Sequence, residues 1–352
     1  MSVPMVNLRP LLQSTEAAWR ANLAQMFERS HFILGEQVEA FEREFAAAIG
    51  AKYAVAVGTG TAAIELGLRA LALPPGSEVV VPALTSLFTA QAVLAAGHRP
   101  RFADVDPETL LLEAAVTKRT RAIVPVHLYG QPCSVPRFDG VAVVQDACQA
   151  HGASHGRRAF TRSAAAVAYS FYPTKNLPCL GDGGAVLTDS RRTADRLRLL
   201  RDGGRRGDQV ARVAAINSRL DEMQACYLRA FLPKLAEWNA DRVRLAALYD
   251  EALRDVARVR PVGRAAGSVC HLYVVRAAGR EKLRERLRAR GIMTGVHYPV
   301  PLHLNPAFAI CGQKRGSLPN AERACREIVS LPLWPGMGES AVAEVVDALR
   351  RG

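Results

Sequence analysis

Apolar positions recur every three or four residues over the first fifty residues and in short unbroken runs after that. Trp19, Leu23, Met26 and Phe27 make one side of a helix predicted over residues 15–29, and Val38, Phe41, Phe45 and Ile49 do the same over 35–49. Beyond residue 50 the spacing predicts strands at 53–57, 78–81, 101–103, 122–126, 141–145, 166–171 and 184–188. Helical segments fall between several of them, at 61–71 and 86–95, with another following at 191–201. Near-continuous apolar strands separated by helices predict a mostly parallel sheet covered on both faces. The chain between Phe171 and Gly184 is too short for a helical crossover, so the last two strands are expected to be antiparallel.

The pattern changes after residue 200. Arg201-Asp202-Gly203-Gly204-Arg205-Arg206-Gly207 reads as an exposed connection. A long helix is expected over 220–238, bent or divided at Pro233, and another over 240–253. Further on come a strand at 270–276, helices at 280–290 and near 321–328, a loop over 291–306, and a terminal helix at 340–349 with Ser340 as its cap. The expected architecture is α/β, with a large domain over residues 1–240 and a smaller C-terminal α/β domain over 241–352. A chain of 352 residues suits that division.

Composition narrows the function classes. An apolar share of 49% excludes a mainly disordered chain. Lys plus Arg total 46 against 33 for Asp plus Glu, a formal charge of +13. The excess is mostly arginine spread along the chain, with Arg157-Arg158 and Arg205-Arg206 the notable loop pairs. Such a field suits solubility or small anionic ligands. No recognition-helix pattern or aromatic–basic platform accompanies it, so no nucleic-acid partner is expected. Seven scattered cysteines without a Cys-x-x-Cys pair read as reduced thiols in a cytoplasmic protein. Neither a signal peptide nor an apolar run of membrane-spanning length is visible. No metal-ligand spacing stands out.

Three strand ends carry candidate chemistry. Ser170-Phe171-Tyr172-Pro173-Thr174-Lys175, followed by Gly181-Asp182-Gly183-Gly184, puts one lysine beside a turn after an apolar run. It reads as a solvated surface lysine, or as an amine whose pKa burial lowers enough for attack on a carbonyl. Asp146 closes the run Val141-Ala142-Val143-Val144-Gln145, as a helix cap or as a ligand-facing carboxylate that, beside a pyridine ring, would keep the ring nitrogen protonated. Gln149 follows three residues later. Gly58-Thr59-Gly60-Thr61 joins a strand to a helix, where glycine serves the turn itself or exposes first-turn N–H groups to a phosphate. Its spacing is neither that of a P-loop nor that of a dinucleotide fingerprint.

In order along the chain these residues resemble the DegT/DnrJ/EryC1/StrS family of sugar aminotransferases, from about Asn7 to the C-terminus. Phe32-Ile33-Leu34-Gly35, Gly60-Thr61-Ala62-Ala63 and Asp146-Ala147-Cys148-Gln149-Ala150-His151-Gly152-Ala153 match. So do the lysine segment, Asn217-Ser218-Arg219-Leu220-Asp221-Glu222-Met223-Gln224-Ala225 and His297-Tyr298-Pro299-Val300-Pro301-Leu302-His303. The resemblance implies a fold-type I, aspartate-aminotransferase-like homodimer with shared active sites. It implies that Lys175 holds pyridoxal 5'-phosphate covalently, that Asp146 pairs with the ring nitrogen, and that Gln149 meets the ring 3-oxygen. Gly60, Thr61 and Ser170 would hold the phosphate, joined by Asn217 from the neighbouring subunit. Phe32, Arg205, His297 and Tyr298 are candidates for the sugar nucleotide. The implied reaction moves nitrogen from glutamate to a nucleotide-linked keto sugar, with the Asn217–Asp221 segment most like members acting at C3.

The chain departs from that pattern in places. Ser86 stands where relatives place an aromatic that stacks on the cofactor, and Phe88 is two residues away. The loop over 155–164 is short, and Gly203 replaces a frequent histidine. Ser86 motivates the competing expectation of a cofactor-binding homologue with a regulatory or structural role. A sugar dehydratase is the other alternative; some dehydratase relatives carry histidine where Lys175 stands.

Overall fold

The computed structural model describes residues 2–134, 136–156 and 159–351; the Arg157–Arg158 pair lies outside them. Three helices open the chain, α1 (Arg9–Ser14), α2 (Glu16–Arg29) and α3 (Glu36–Ile49). Then follow β1 (Tyr53–Val57), α4 (Gly60–Ala70), β2 (Glu78–Pro82), α5 (Leu87–Ala95), β3 (Arg99–Ala103) and β4 (Thr120–Ile123). β5 (Ala142–Asp146), β6 (Ala166–Ser170), β7 (Gly184–Thr188) and α6 (Arg191–Arg201) complete the alternation. The seven strands form one sheet in the order β1-β7-β6-β5-β4-β2-β3. β7 runs antiparallel to β1 and β6, as the short connection requires, and the other pairings are parallel.

Both faces of this sheet are covered. Val55, Val57, Val79, Val81 and Val144 pack with Ile64 and Leu66 of α4 and Ala90 of α5 on one side. Ala54, Ala56, Val167, Tyr169 and Leu187 pack with Phe41 and Phe45 of α3 on the other. Alternate residues of one strand thus enter opposite cores, which is why the strands read as almost unbroken apolar runs.

The remaining elements are α7 (Glu222–Phe231), α8 (Leu235–Ala252), β8 (Val259–Pro261), β9 (Tyr273–Ala277), α9 (Arg280–Ala289), α10 (Pro319–Glu327), β10 (Ile328–Leu331) and α11 (Glu339–Arg350). β9 lies between β10 and β8 in a small antiparallel sheet. Pro233 sits in a single 3₁₀ turn that separates α7 from α8, so the expected division occurs. The expected break between residues 238 and 240 does not: nothing in Trp238-Asn239-Ala240 stops a helix, and α8 runs straight through. Its Leu235 and Trp238 belong to the core of the large sheet, whereas Leu245, Ala246 and Tyr249 belong to the core of the small one.

Other expectations need correction. Residue 328 begins a strand rather than ending a helix. The terminal helix starts at Glu339 after Gly338, so Ser340 lies in its first turn and is not the cap. Residues 124–126 continue beyond β4, with Val126 making only an isolated bridge to Asp146. Helix α1, with Pro10 in its first turn, and strand β8 had no expected counterpart.

Two buried polar ties fix the frame near the glycine turn. The Glu222 carboxylate accepts from the amides of Gly35, Gln37 and Val38 at 2.9 Å each, and so caps α3 from the start of α7. The Arg201 guanidinium pairs with Glu42 and donates to the Ala56 carbonyl, while Glu42 accepts from the Ala56 amide at 2.8 Å.

Candidate active site

The C-terminal ends of the parallel strands open into a cleft of about 640 Å³. Gly60, Thr61, Ser86, Asp146, Gln149, Ser170, Lys175, His297 and Tyr298 all line it, so most of the residues singled out in the sequence meet in one place.

Asp146 ends β5 with only 4% of its surface exposed. One carboxylate oxygen accepts from the Cys148 amide at 3.0 Å, a local cap, and the other accepts from the Thr89 hydroxyl at 2.8 Å. Thr89, on α5, is 57 residues away in sequence. Thr85 lies 3.2 Å from the Thr89 hydroxyl and extends this chain of hydrogen bonds.

Lys175 sits in a turn closed by its own amide donating to the Tyr172 carbonyl at 2.8 Å. Burial lowers the pKa of its amine, with the nearby Cys148 and Asp146 opposing that effect. The next residue anchors the turn: Asn176 donates to Asn239 of α8 at 2.8 Å and to the Val269 carbonyl at 3.1 Å, and His271 Nδ1 lies 3.0 Å from its side-chain oxygen.

At the opposite wall, the Thr59 hydroxyl caps α4 by accepting from the Ala62 amide at 3.0 Å. The first-turn amides of a helix have no acceptor within it, so those of Gly60 and Thr61 are available to an anion. Glycine is obligatory at position 60. A Cβ there would stand 2.5 Å from the Ser170 Cβ and 3.0 Å from the Cys148 sulfur. A Cβ on Gly184 would meet the Thr59 carbonyl oxygen at 2.4 Å.

Gln149 bridges the two sheets' territories. It accepts from the Tyr129 amide at 2.7 Å and donates to the Tyr298 hydroxyl at 3.1 Å. Tyr129 adopts a left-handed conformation (φ 60°), and its hydroxyl donates to the His297 carbonyl at 2.5 Å. His297 Nδ1 lies 2.8 Å from the Ser330 hydroxyl of β10, and burial pushes its pKa down to about 4. Burial raises the Tyr298 hydroxyl to about 12.

Three expected site residues lie elsewhere. Asn217 is bridged to Asp202, Arg205 pairs with Asp202 at 3.1 Å, and Phe32 is 48% exposed near α7, with its carbonyl accepting from the Glu222 amide. Ser86 caps α5, accepting from the Phe88 amide at 3.4 Å, and Phe88 lines the cleft while 54% exposed. Sequence reasoning passed over Thr89, Arg242 and His271, which line the cleft too. For Arg242 a signal existed: it stands on the helical stripe of Leu235, Trp238, Leu245 and Tyr249, a cation at an apolar position.

Fold and site together define a fold-type I, pyridoxal-phosphate-dependent aminotransferase. The chain belongs to the DegT/DnrJ/EryC1/StrS aminotransferase family, whose model matches residues 13–350. It is 41% identical to the dTDP-3-amino-3,4,6-trideoxy-alpha-D-glucose transaminase of Streptomyces venezuelae, across 99% of this chain and 95% of that protein. It is 36% identical to the UDP-N-acetyl-3-dehydro-alpha-D-glucosamine 3-aminotransferase of Acidithiobacillus ferrooxidans, across 99% and 98%. The crystal structure of Streptomyces venezuelae DesV in complex with a ketimine intermediate superposes with a TM-score of 0.94 at 40% identity, covering 99% of this chain and 98% of that one. No helix among the described residues is long and apolar enough to cross a membrane.

Proposed function

We propose that this aminotransferase carries nitrogen from glutamate to the C3 ketone of a nucleotide-linked sugar, as a cytoplasmic homodimer. The observation that carries the reading is the convergence of Lys175, Asp146 and the Gly60–Thr61 turn on one cleft. Support for position 3 comes from the two relatives named above, whose names place the amino group or the oxidised carbon there.

The residues fit pyridoxal phosphate on the chain's own geometry. The space a Cβ would fill at position 60 is taken by Ser170 and Cys148, so glycine lets the start of α4 pack directly against Ser170 on the cleft wall. Thr61 and Ser170 add hydroxyls beside it. Asp146, oriented by Thr89 and the Cys148 amide, would hold the ring nitrogen with its buried carboxylate. Gln149, held by Tyr129 and Tyr298, would meet the ring 3-oxygen, and Ser86 lines the same cleft. When bound, the cofactor supplies an electron sink for the pair left when a proton leaves the carbon next to nitrogen.

The protein supplies positions and protons. Lys175 would form the covalent attachment, and its Nζ, when free, would take the proton from the donor carbon next to nitrogen and deliver a proton on the other side of the transfer. The lowered amine pKa leaves more of the group neutral near pH 7 than a solvated lysine would offer. His297 and Tyr298 line the cleft as contacts for the sugar nucleotide, whereas Arg205 and Phe32 are not part of its lining. Asn217, exposed and absent from the lining of its own cleft, is assigned to the phosphate of the partner's site.

The test is transfer of labelled nitrogen from glutamate to dTDP- and UDP-linked 3-keto and 4-keto hexoses, with the label located in the product. Incorporation at C3 is expected. Incorporation at C4 overturns the position, and no incorporation into any keto sugar overturns the substrate class.

A further inference from the structure

Arg242 is a buried cation without an anion. It projects from α8, is 4% exposed, and lines the same cleft as Lys175. Its Nη1 donates to the carbonyls of His271 at 3.2 Å and Leu333 at 3.0 Å, and its Nε meets no acceptor. No carboxylate pairs with it among the described residues.

An unpaired guanidinium in this setting is costly, because burial removes hydration and nothing replaces it. Two backbone carbonyls orient the group but do not neutralise it. Burial lowers its pKa only to about 10, so it stays charged at neutral pH. The other basic groups around it behave differently. Burial holds His271 well below its ordinary value and His297 near 4, and it lowers the Lys175 amine. Arg242 is therefore a permanent positive charge in the wall of this cleft.

We propose that Arg242 binds the α-carboxylate of the amino donor. The proposal rests on the reading that an amino acid supplies the nitrogen. A donor reacting at Lys175 carries its carboxylate one carbon from the reacting amine, so the carboxylate must lie on a wall next to that lysine. His271 joins the two positions: its ring bonds Asn176, the residue after Lys175, and its carbonyl accepts from Arg242. A planar guanidinium matches a carboxylate edge, and the pairing compensates the buried charge during each turnover. The carbonyl grip from His271 and Leu333 fixes the fork before the donor arrives.

The test compares wild-type holoenzyme with Arg242→Met and Arg242→Lys. Two readouts are taken: loss of the cofactor's visible absorption in single turnover with L-glutamate, and calorimetric binding of glutarate, which has the carboxylates but no amine. In Arg242→Met the half-saturating glutamate concentration should rise about 100-fold, the scale of losing one partner of a buried charge pair. Glutarate binding should vanish, Arg242→Lys should fall between, and the half-reaction with keto sugar should suffer much less. Unchanged glutarate affinity and glutamate half-saturation overturn the proposal, as does an equal loss in both half-reactions of a variant that still melts like wild type. A wild-type enzyme that uses glutamate while Arg242→Met is unimpaired defeats Arg242 alone. A wild-type enzyme that draws nitrogen from no α-amino acid overturns the donor reading, and this proposal with it.

Discussion

The Thr89 hydroxyl donates to the Asp146 carboxylate at 2.8 Å, across the start of α5 and the end of β5. The local Cys148 amide holds only the other oxygen, so Thr89 sets the direction of the carboxylate facing the cleft. Hydrogen bonds to charged groups contribute about 1.5–3 kcal/mol. Replacing Thr89 with Val should therefore weaken cofactor binding by about 10- to 100-fold with the fold intact, read by titrating apoprotein with pyridoxal phosphate. Unaltered affinity would separate Thr89 from the cofactor's ring.

Glu222 offers a test of the frame. Its carboxylate satisfies three amides at the start of α3, and it is 2% exposed. Glu222→Ala leaves those donors without a partner and should cost about 2–4 kcal/mol, visible in urea unfolding. A change below about 0.5 kcal/mol, the usual range for surface substitutions, would show that water replaces the cap.

Arg201 and Glu42 form a buried pair beside β1. Removing one partner strands the other charge, so Arg201→Met should destabilise by about 3–5 kcal/mol. Arg201→Met combined with Glu42→Gln should recover part of the loss, because the second change removes the stranded charge. Simple additivity of the two changes in a denaturant series would contradict the coupling.

The buried histidine His151 predicts a pH dependence of stability. Burial, and secondarily the Lys175 charge, depress its pKa from 6.5 to about 3. Its ring lies 5.3 Å from that of Tyr169. Between those values the unfolded chain binds a proton that the folded chain excludes. The stabilising contribution is thus full above pH 6.5 and is lost progressively as pH falls toward 3. His151→Phe should flatten the acid limb of a melting-temperature profile. An identical limb in the variant would assign the acid sensitivity to other groups.

The parts of this molecule written in local pattern were legible in the sequence. The apolar runs ending at Asp146 and Ser170 gave strands, and their flanking residues gave a site that the fold gathers into one cleft. What sequence reasoning missed depends on contacts between distant segments. Thr89 looks like an ordinary helix residue until β5 brings Asp146 beside it. Arg242 stands on the apolar stripe of α8, but only the packing of the chain around that helix brings it to the cleft of Lys175. The strand Ile328–Leu331 follows α10 without a break, and four apolar-rich residues cannot by periodicity alone be told from the end of a helix. The expected helices over 220–238 and 240–253 are one continuous α8 across residues 238–240, because that helix serves both cores.

The most direct measurement is borohydride reduction of the holoenzyme followed by peptide mass spectrometry. The account predicts a phosphopyridoxyl group on Lys175 alone, and its absence from a folded Lys175→Ala variant. A label on any other lysine, or none on wild-type protein saturated with cofactor, would contradict it.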